Sequence, residues 1–391
     1  MDLNISQQVA AIIDDVKKNG DSAVIKYVKK FDGLSFSSVK QMLVGKKQTD
    51  FASKNIENKL KNSILASFKN VQAFHKKEYS NVKKQWFISD KVKTVGQIYN
   101  SVGSVAIYVP GGKFSYPSSV LMNAIPAKVA GVKRIVMITP PKKMTNEVLY
   151  TANLCGINEI YSIGGPVAIA ALAYGTKTIK PVDMIVGPGN AYVNEAKRLV
   201  FGKVGIDSLA GPSEVAIIAD AGADIDYIYY DVMAQVEHDL MAKAYLFCTS
   251  NETAKKIKNM IDKQYLKQVL IKVTNVEDAC RQVNKIAPEH LELLVKDAKK
   301  IVKYISNAGA VFIGYNTPTA AGDYWAGPSH VLPTNASARY SSGLSVMTFL
   351  KRSSYIELKT ADKNVISSVA AFAGAEGLVN HKKSIEVRYK K

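Results

Sequence analysis

Val105-Ala-Ile-Tyr-Val109 is a short β-rich run, and it is followed by a helical stretch, Ser118–Ala130, and a second run, Arg134-Ile-Val-Met-Ile-Thr139. The alternation continues with strand-like runs at Met184–Val186 and Val215–Ala219 and helical stretches at Asn146–Leu154, Val167–Tyr174 and Ala191–Phe201. Strands that alternate with helices in this way predict a largely parallel, doubly wound sheet.

A second set of elements follows along the chain. It comprises Ala244–Cys248, a helix from Thr253, and runs at Ala287–Val295 and Ala308–Ile313. We therefore expect an α/β protein with two Rossmann-like, doubly wound sheet domains.

The two ends of the chain differ from this middle part. Residues 1–95 are predicted to be mostly helical, with one helix from Ile5 to Lys18 that stops before Gly20 and another, capped by Asp21, that runs to Phe31. The tail after Ser345 is predicted to be helical in its later part and to end in a strand at 384–389.

Length and composition restrict the class of protein. A chain of 391 residues exceeds one average domain, and its 47% hydrophobic and 22% charged content is typical of soluble globular proteins. No apolar run approaches the roughly 20 residues of a membrane helix, and no signal peptide is recognisable. The three cysteines (Cys155, Cys248, Cys280) are widely spaced, which favours buried thiols and a cytoplasmic location over a disulfide framework. We expect no membrane association.

The net charge of +19 raises the hypothesis of nucleic-acid binding. Only six of the 52 basic residues are arginine, however, and arginine carries most specific base and phosphate recognition. The lysines are spread in pairs along predicted helix surfaces. We therefore expect a solvated, lysine-rich surface and no nucleic-acid partner, although anionic dinucleotides would be attracted.

Four of the five histidines lie in short polar motifs. These are Gln235-Val-Glu-His238, Pro288-Glu-His-Leu291, the loop 322–334 that contains Asp323 and His330, and Glu376-Gly-Leu-Val-Asn-His381. Histidine is the commonest metal ligand and the usual acid–base group near neutral pH. The concentration of a scarce residue predicts a metal-dependent active site; only His75 lies elsewhere.

Each motif alone allows a plainer interpretation. Gln235 and His238 share one side of a predicted helix and could converge on a metal ion, but an exposed polar face explains them as well. Glu289 and His290 could serve as two bases, or Glu289 could simply face the start of a helix. Asp323 follows the strand Ala308–Ile313 in a loop rich in glycine and proline, at the strand end where α/β sheets place ligands, although an ordinary turn is equally consistent.

The remaining candidates are at the C-terminal end and in two glycine turns. Glu376 and His381 could reach a site or form a plain helix end, and His330 receives no chemical role. Tyr108-Val-Pro-Gly-Gly112 and Gly187-Pro-Gly-Asn190 each follow a strand and precede a helix, which suits phosphate or ribose binding. Neither turn has the full dinucleotide fingerprint.

In this order and with these flanks, the motifs closely resemble the histidinol dehydrogenase family. The resemblance is carried by residues 20–33, 108–112, 116–132, 185–197, 210–214, 234–238, 287–290, 322–334 and 376–381. Residues 34–100 match only weakly. Where the family has Gly-Gly-Ala-Gln, with a glutamine that contacts NAD, this chain has Gly164-Gly-Pro-Val167, so that Val167 cannot make this hydrogen bond.

The resemblance implies an oxidoreductase that uses Zn²⁺ and NAD to oxidise L-histidinol through L-histidinaldehyde to L-histidine. It implies zinc ligands at Gln235, His238, Asp323 and His381, and catalytic bases at Glu289 and His290. It also assigns substrate contacts to Ser213 and Glu376 beside those ligands and His290, and NAD contacts to Tyr108 and Asn190. The alternative within the fold is a related zinc- and NAD-dependent dehydrogenase of another small polar alcohol, such as a sulfopropanediol.

The family also implies a homodimer in which small terminal extensions are exchanged, so that His381 and Glu376 complete the neighbour's site. We accordingly expect an N-terminal arm at 1–12, one discontinuous α/β domain at 13–107 and 215–344, an NAD-side α/β domain at 108–214, and a C-terminal dimerisation segment at 345–391.

Overall fold

The computed structural model describes residues 3–111, 115–237, 240–360 and 362–388. The helices are α1 Leu3–Asn19, α2 Asp21–Asp32, α3 Lys46–Asn55, α4 Asn58–Ser80, α5 Pro117–Ala130, α6 Asn146–Leu154, α7 Gly165–Tyr174, α8 Ala191–Val200, α9 Ile225–Val236, α10 Asn251–Met260, α11 Val276–Ile286, α12 Ala298–Ile301, α13 Thr319–Ala321, α14 Lys363–Ala375 and α15 Val379–Arg388. The strands are β1 Gln85–Ser89, β2 Lys93–Ser101, β3 Ser104–Tyr108, β4 Arg134–Thr139, β5 Glu159–Ser162, β6 Met184–Val186, β7 Gly205–Ile206, β8 Glu214–Ala219, β9 Lys243–Cys248, β10 Val269–Val273, β11 His290–Leu294, β12 Ala310–Ile313 and β13 Leu350–Leu358.

The chain divides into two compact units. The first unit comprises Met1–Tyr79 and Val102–Phe349, and the second comprises Ser80–Ser101 and Leu350–Lys391. Two five-stranded sheets lie in the first unit, and a three-stranded sheet lies in the second.

The first sheet has the strand order β5-β4-β3-β6-β7, and all its pairs are parallel. Helices α1, α2, α7 and α8 share one hydrophobic core with this sheet, and α5 packs on β3 and β4. The chain direction across the sheet changes between β3 and β6, which makes their carboxyl ends a topological switch point.

The second sheet has the order β10-β9-β8-β11-β12 and is also parallel throughout. One face packs against α9 and α10, and the other packs against α11 and α12. The prediction of an α/β fold with parallel sheets is confirmed. The predicted domain boundaries stay a prediction. In the structure, the strands of the first sheet lie within residues 104–206 and those of the second within residues 214–313.

In the second unit, β1-β2-β13 form an antiparallel sheet, and α14 packs against α15. One prediction was wrong here, because 384–388 belong to α15 rather than to a strand. Residues 1–95 are mostly helical as predicted, and the hairpin at 85–101 begins near the end of that region. The α15 backbone is supported by Arg388, whose Nη1 donates to the Ser384 carbonyl oxygen four residues earlier at 2.5 Å.

The first helix, α1, confirms the prediction for the N-terminal region, and α2 follows at once. Asp21 is not its cap, however. Gly20 is the N-cap, and Asp21 instead accepts a hydrogen bond from the Thr178 hydroxyl at 2.6 Å, which ties α2 to the loop after α7.

No helix of the described residues combines the length and apolarity that crossing a membrane requires.

Candidate active site

Glu289 and His290 lie where α11 gives way to β11. Ala287 adopts a left-handed conformation (φ 51°) and caps α11, Pro288 follows, and the strand begins at His290. His290 pairs with Val215 and Ala310 on the two neighbouring strands. Parallel pairing therefore places both candidate bases at the amino edge of the second sheet. Glu289 precedes a strand, so the plainer interpretation that it faces the start of a helix is wrong.

The Glu289 carboxyl group is held by its neighbours from β8. It is 7% exposed, and its Oε2 accepts a hydrogen bond from the Glu214 backbone N–H at 3.1 Å. The Ser213 hydroxyl also hydrogen-bonds to it, and the Nδ1 of His290 lies 3.7 Å from Oε2. Ser213 and Glu289 are therefore in contact, and the substrate contact that the resemblance implies for Ser213 stays a prediction.

Burial raises the pKa of Glu289 to about 8, and hydrogen bonds from Glu214 and Ser213 only partly offset this. The negative charges of Asp323 and Glu214 act in the same direction as burial. A cation bound beside Asp323 would counteract them and lower this pKa. Buried carboxyl groups with displaced pKa values are typical of catalytic acids and bases.

Asp323 reaches the same edge of the sheet by an unexpected path. After β12 the chain turns back, and Asp323 lies in a π-helical turn, Gly322–Ala326. A side chain on Gly322 would come within 2.7 Å of the Phe312 ring, so glycine lets the turn lie directly on β12. The Phe312 ring is 5.9 Å from that of His290. Asp323 was expected at the carboxyl end of the strands; the returning segment instead carries it to the amino edge.

His330, to which we had assigned no role, lies beside Asp323. The Nδ1 of His330 is 3.6 Å from Oδ1 of Asp323, and both side chains are largely shielded from solvent. The sequence offered one signal for this proximity, since both residues belong to a single loop rich in glycine and proline.

Gln235 is only 4% exposed, on the buried side of α9. The interpretation of an exposed polar face is therefore wrong for this residue. Its Nε2 is buried and has no hydrogen-bond partner among the described residues. Because the amide oxygen and nitrogen of glutamine are interchanged by a flip, this end of the side chain can present an oxygen donor to a ligand.

The predicted metal ligands are only partly described. His238 lies outside the described residues, and within those residues no group of three or more His, Cys, Asp or Glu side chains is placed to hold a metal ion. The partnerless amide of Gln235 and the shielded carboxylate of Asp323 are oxygen donors that fit zinc when completed by histidine nitrogen.

Glu376 and His381 lie in the second unit. Glu376 is the residue that caps α14, and His381 lies on α15. Both are exposed, and both line a groove of 1020 Å³ between these helices with Phe372 and Arg388. Within this unit alone, Glu376 and His381 therefore match the plainer interpretation of an exposed helix end.

A separate cavity of 480 Å³ lies at the carboxyl edge of the first sheet. Its lining includes both predicted NAD contacts, Tyr108 and Asn190, together with Gly111, Gly164 and Gly165. The Asn190 Oδ1 caps α8 by accepting from the Val193 N–H at 3.1 Å, so the cavity opens at a helix N-terminus. Gly112, predicted as part of the first glycine turn, lies outside the described residues.

Tyr108 is nearly fully buried at the end of β3, and its hydroxyl oxygen accepts from the Gly165 N–H at 3.2 Å. Burial raises the pKa of Tyr108 to about 12, so the hydroxyl keeps its proton and can donate a hydrogen bond to a ligand. Val167, where the family has a glutamine, is 2% exposed and packs in the hydrophobic core.

Glu292 is a buried carboxyl group that sequence reasoning missed. It lies on β11, two residues after His290, and its Oε1 accepts from the backbone N–H and the hydroxyl of Thr319 at 2.7 and 2.5 Å. Asp231 on α9 hydrogen-bonds to it. Burial, and then the charge of Asp231, raise the pKa of Glu292 to about 8, so that one of the two carboxyl groups keeps a proton near neutral pH.

Glu292→Gln is expected to make the protein more resistant to alkaline unfolding. The pKa of Glu292 is higher in the folded chain than its ordinary value of 4.5, so its contribution to stability is complete below 4.5 and is lost as pH rises toward about 8. Glutamine keeps an oxygen for Thr319 and a donor for Asp231 without titrating. Melting temperatures measured from pH 5.5 to 9 should therefore fall less steeply for this variant, whereas the exposed Glu277→Gln should follow the wild type. Parallel curves for wild type and Glu292→Gln would contradict the prediction.

The chain was also compared with known proteins. The histidinol dehydrogenase family model matches residues 1–389. The curated "Histidinol dehydrogenase 2" of Trichormus variabilis is 45% identical over 399 residues, which cover 97% of this chain and 91% of that protein. Histidinol dehydrogenase of Pelagibacter ubique is 46% identical over 407 residues, which cover 99% and 93%. The crystal structure of histidinol dehydrogenase from Elizabethkingia anophelis superposes with a TM-score of 0.91 at 33% identity and covers 100% of this chain and 93% of that one. With these matches over essentially its full length, the chain belongs to the histidinol dehydrogenase family.

Proposed function

We propose that this protein oxidises L-histidinol to L-histidine in two NAD-dependent steps through L-histidinaldehyde, as part of histidine biosynthesis. The observation that carries the proposal is the adjacent pair Glu289 and His290, both buried at one edge of the second sheet and 3.7 Å apart. The two oxidations deprotonate different groups, first an alcohol and then water, and this pair would provide one base for each.

In the first oxidation, His290 takes the proton of the substrate hydroxyl while a hydride leaves the same carbon. A neutral imidazole is suited to this transfer near neutral pH. The pairing of β11 with β8 and β12 fixes the backbone of His290, and its ring lies beside that of Phe312. NAD, when bound, accepts the hydride of each oxidation.

In the second oxidation, Glu289 takes a proton from water, and the resulting hydroxide adds to the aldehyde carbon. The hydrated carbon then gives up its one remaining hydrogen as a hydride to a second molecule of NAD and becomes the carboxylic acid. The Glu214 N–H and the Ser213 hydroxyl orient the Glu289 carboxylate, while its burial keeps it basic enough for the task.

We propose that Gln235, His238, Asp323 and His381 hold zinc, the last of these from the partner subunit. Zinc, when bound, supplies a fixed point for the imidazole and amino nitrogens of the substrate and so orients the reacting carbon. Glu376 of the same terminal segment would contact the cationic substrate. Tyr108 and Asn190 would contact NAD in the cavity at the first sheet.

The metal assignment predicts about one zinc per subunit in purified protein, since two His, one Asp and one Gln form a nitrogen and oxygen set that suits zinc. Elemental analysis of metal-replete protein measures this. Gln235→Ala should lower the zinc content, whereas His75→Gln, which changes a histidine outside the site, should not. Undiminished activity in protein that contains no transition metal would contradict the assignment.

The dehydrogenase of a sulfopropanediol, our alternative, receives no support from the relatives described above, which are all histidinol dehydrogenases. The free, buried thiols of Cys155, Cys248 and Cys280 suit the cytoplasmic location that we propose.

The proposed activity is tested by NADH formation with L-histidinol before and after chelation, with a sulfopropanediol as the competing substrate. We expect NADH only with histidinol, and its loss after chelation. NADH formation with the diol alone would favour the alternative.

A further inference from the structure

Lys197 is a buried cation at the base of the second glycine turn. It lies on α8, is 1% exposed, and its ammonium contacts the carboxylate of Asp207, which is also buried. The same ammonium donates to the Gly187 carbonyl oxygen at 3.0 Å, while Asp207 Oδ2 accepts from the Gly187 N–H at 2.8 Å. One ion pair thus satisfies both backbone polar groups of a single residue.

Gly187 is the point at which the chain leaves the first sheet. It follows β6 directly and has φ +107°, a conformation that only glycine adopts readily. A Cβ there would lie 2.3 Å from the Tyr108 carbonyl oxygen, so the turn rests against the end of β3. The position of the turn is therefore coupled to that of Tyr108, the first of the two proposed NAD contacts.

The same face of α8 also holds the rest of the turn. Asn194 donates from Nδ2 to the carbonyl oxygens of Gly189 and Ala210, at 2.9 and 2.8 Å. Asn190, Asn194 and Lys197 follow one another at four- and three-residue spacing and so form one polar stripe along the helix. Through this stripe, α8 determines the shape of the turn Gly187–Asn190.

Stability alone does not account for a buried ion pair at this place. Withdrawing two charges from water is costly, and apolar residues of similar volume are often as stabilising or more so. What apolar residues cannot do is bind the N–H and the carbonyl group of Gly187 after the strand has ended.

We propose that Lys197 and Asp207 are positioning residues for NAD, which fix the turn Gly187–Asn190 against Tyr108 so that the cavity is formed before the dinucleotide binds. This inference rests on the proposed function, because it takes the cavity of Tyr108 and Asn190 as the NAD site.

Lys197→Met removes the charge and keeps most of the side-chain volume. We expect it to weaken NADH binding, measured by fluorescence titration, by about tenfold or more, which corresponds to about 1.4 kcal/mol. KM for NAD should rise with little change in kcat, and histidinol binding should stay as in the wild type.

The matched control is Arg134→Met, which removes a partly buried cation from β4 of the first sheet. Arg134 binds Glu159 through Nε and Nη2, each at 2.8 Å, near the amino end of β4 and away from the cavity. We expect this variant to melt at a lower temperature and to bind NADH like the wild type.

The double variant Lys197→Met/Asp207→Leu replaces both members of the ion pair by apolar side chains. If the single variant does not fold, the double variant still tests whether the pair is needed for NADH binding. We expect it to regain stability and still to bind NADH about tenfold more weakly. NADH affinity equal to that of the wild type in either folded variant would show that the pair is only structural and overturn the inference. Absence of NADH binding by the wild type would overturn the proposed function and, with it, this inference.

Discussion

His290→Ala is expected to lower the rate of histidinol oxidation by about 10²–10⁴-fold, because it removes the base that takes the hydroxyl proton. Glu289→Gln should mainly slow the oxidation of histidinaldehyde, by a similar factor, because glutamine cannot take a proton from water. Each variant is assayed with histidinol and with histidinaldehyde as separate substrates. Equal losses on both substrates for both variants would contradict the division of labour.

The control for this experiment is His75→Gln. His75 is completely buried on α4, and its Nδ1 lies 2.8 Å from Glu78, whose carboxylate also accepts from the Val346 N–H. Its replacement should lower the melting temperature and leave the rate per folded molecule unchanged. If His290→Ala loses activity and His75→Gln does not, the loss is due to the missing base and not merely to the removal of a buried imidazole.

The parallel sheets were predictable because their signals are local. Runs such as Ile135–Ile138 are apolar over their whole length, and the neighbouring helices end at glycines such as Gly131, which is left-handed in the structure. The hairpin at 85–101 was missed because its strand partner, β13, follows about 250 residues later, and its outer strand is exposed on both faces. A pairing of this kind leaves no periodic pattern that the sequence alone could show.

The candidate site was predictable by residue type but not by arrangement. The motif Pro288-Glu-His-Leu291 marked both bases, yet the contact of Glu289 with Glu214 depends on the register between β8 and β11. Asp323 was selected for the right chemistry and placed at the wrong end of the strands, since nothing in the loop sequence reveals that it folds back over Phe312.

Lys197 shows the reverse limitation. We interpreted the lysines as a solvated surface, and for Lys197 this is wrong, because it is 1% exposed and paired with Asp207. Net charge and spacing describe the average lysine. Only the tertiary structure distinguishes the one that contacts the backbone of a ligand-binding turn.

The second large effect concerns assembly. If His381 completes the metal site of the neighbouring subunit, His238→Ala and His381→Ala are each inactive alone but should complement each other when subunits are exchanged. A hybrid dimer then has one site with both lesions and one with neither, so each hybrid should regain about half of the wild-type activity. Mild denaturant would assist the exchange, because large interfaces dissociate slowly. Activity is measured against the fraction of hybrid dimer found by native mass spectrometry.

The matched control is a mixture of Gln235→Ala and His238→Ala, both of which alter ligands from the same subunit. Every site in such a hybrid carries one lesion, so this mixture should stay inactive however much hybrid forms. Recovery in the first mixture and not in the second can arise only when a residue is exchanged between subunits. Hybrids of His238→Ala and His381→Ala that form and remain inactive would show that His381 serves the site of its own subunit, and the exposed groove that it lines between α14 and α15 would then need another explanation.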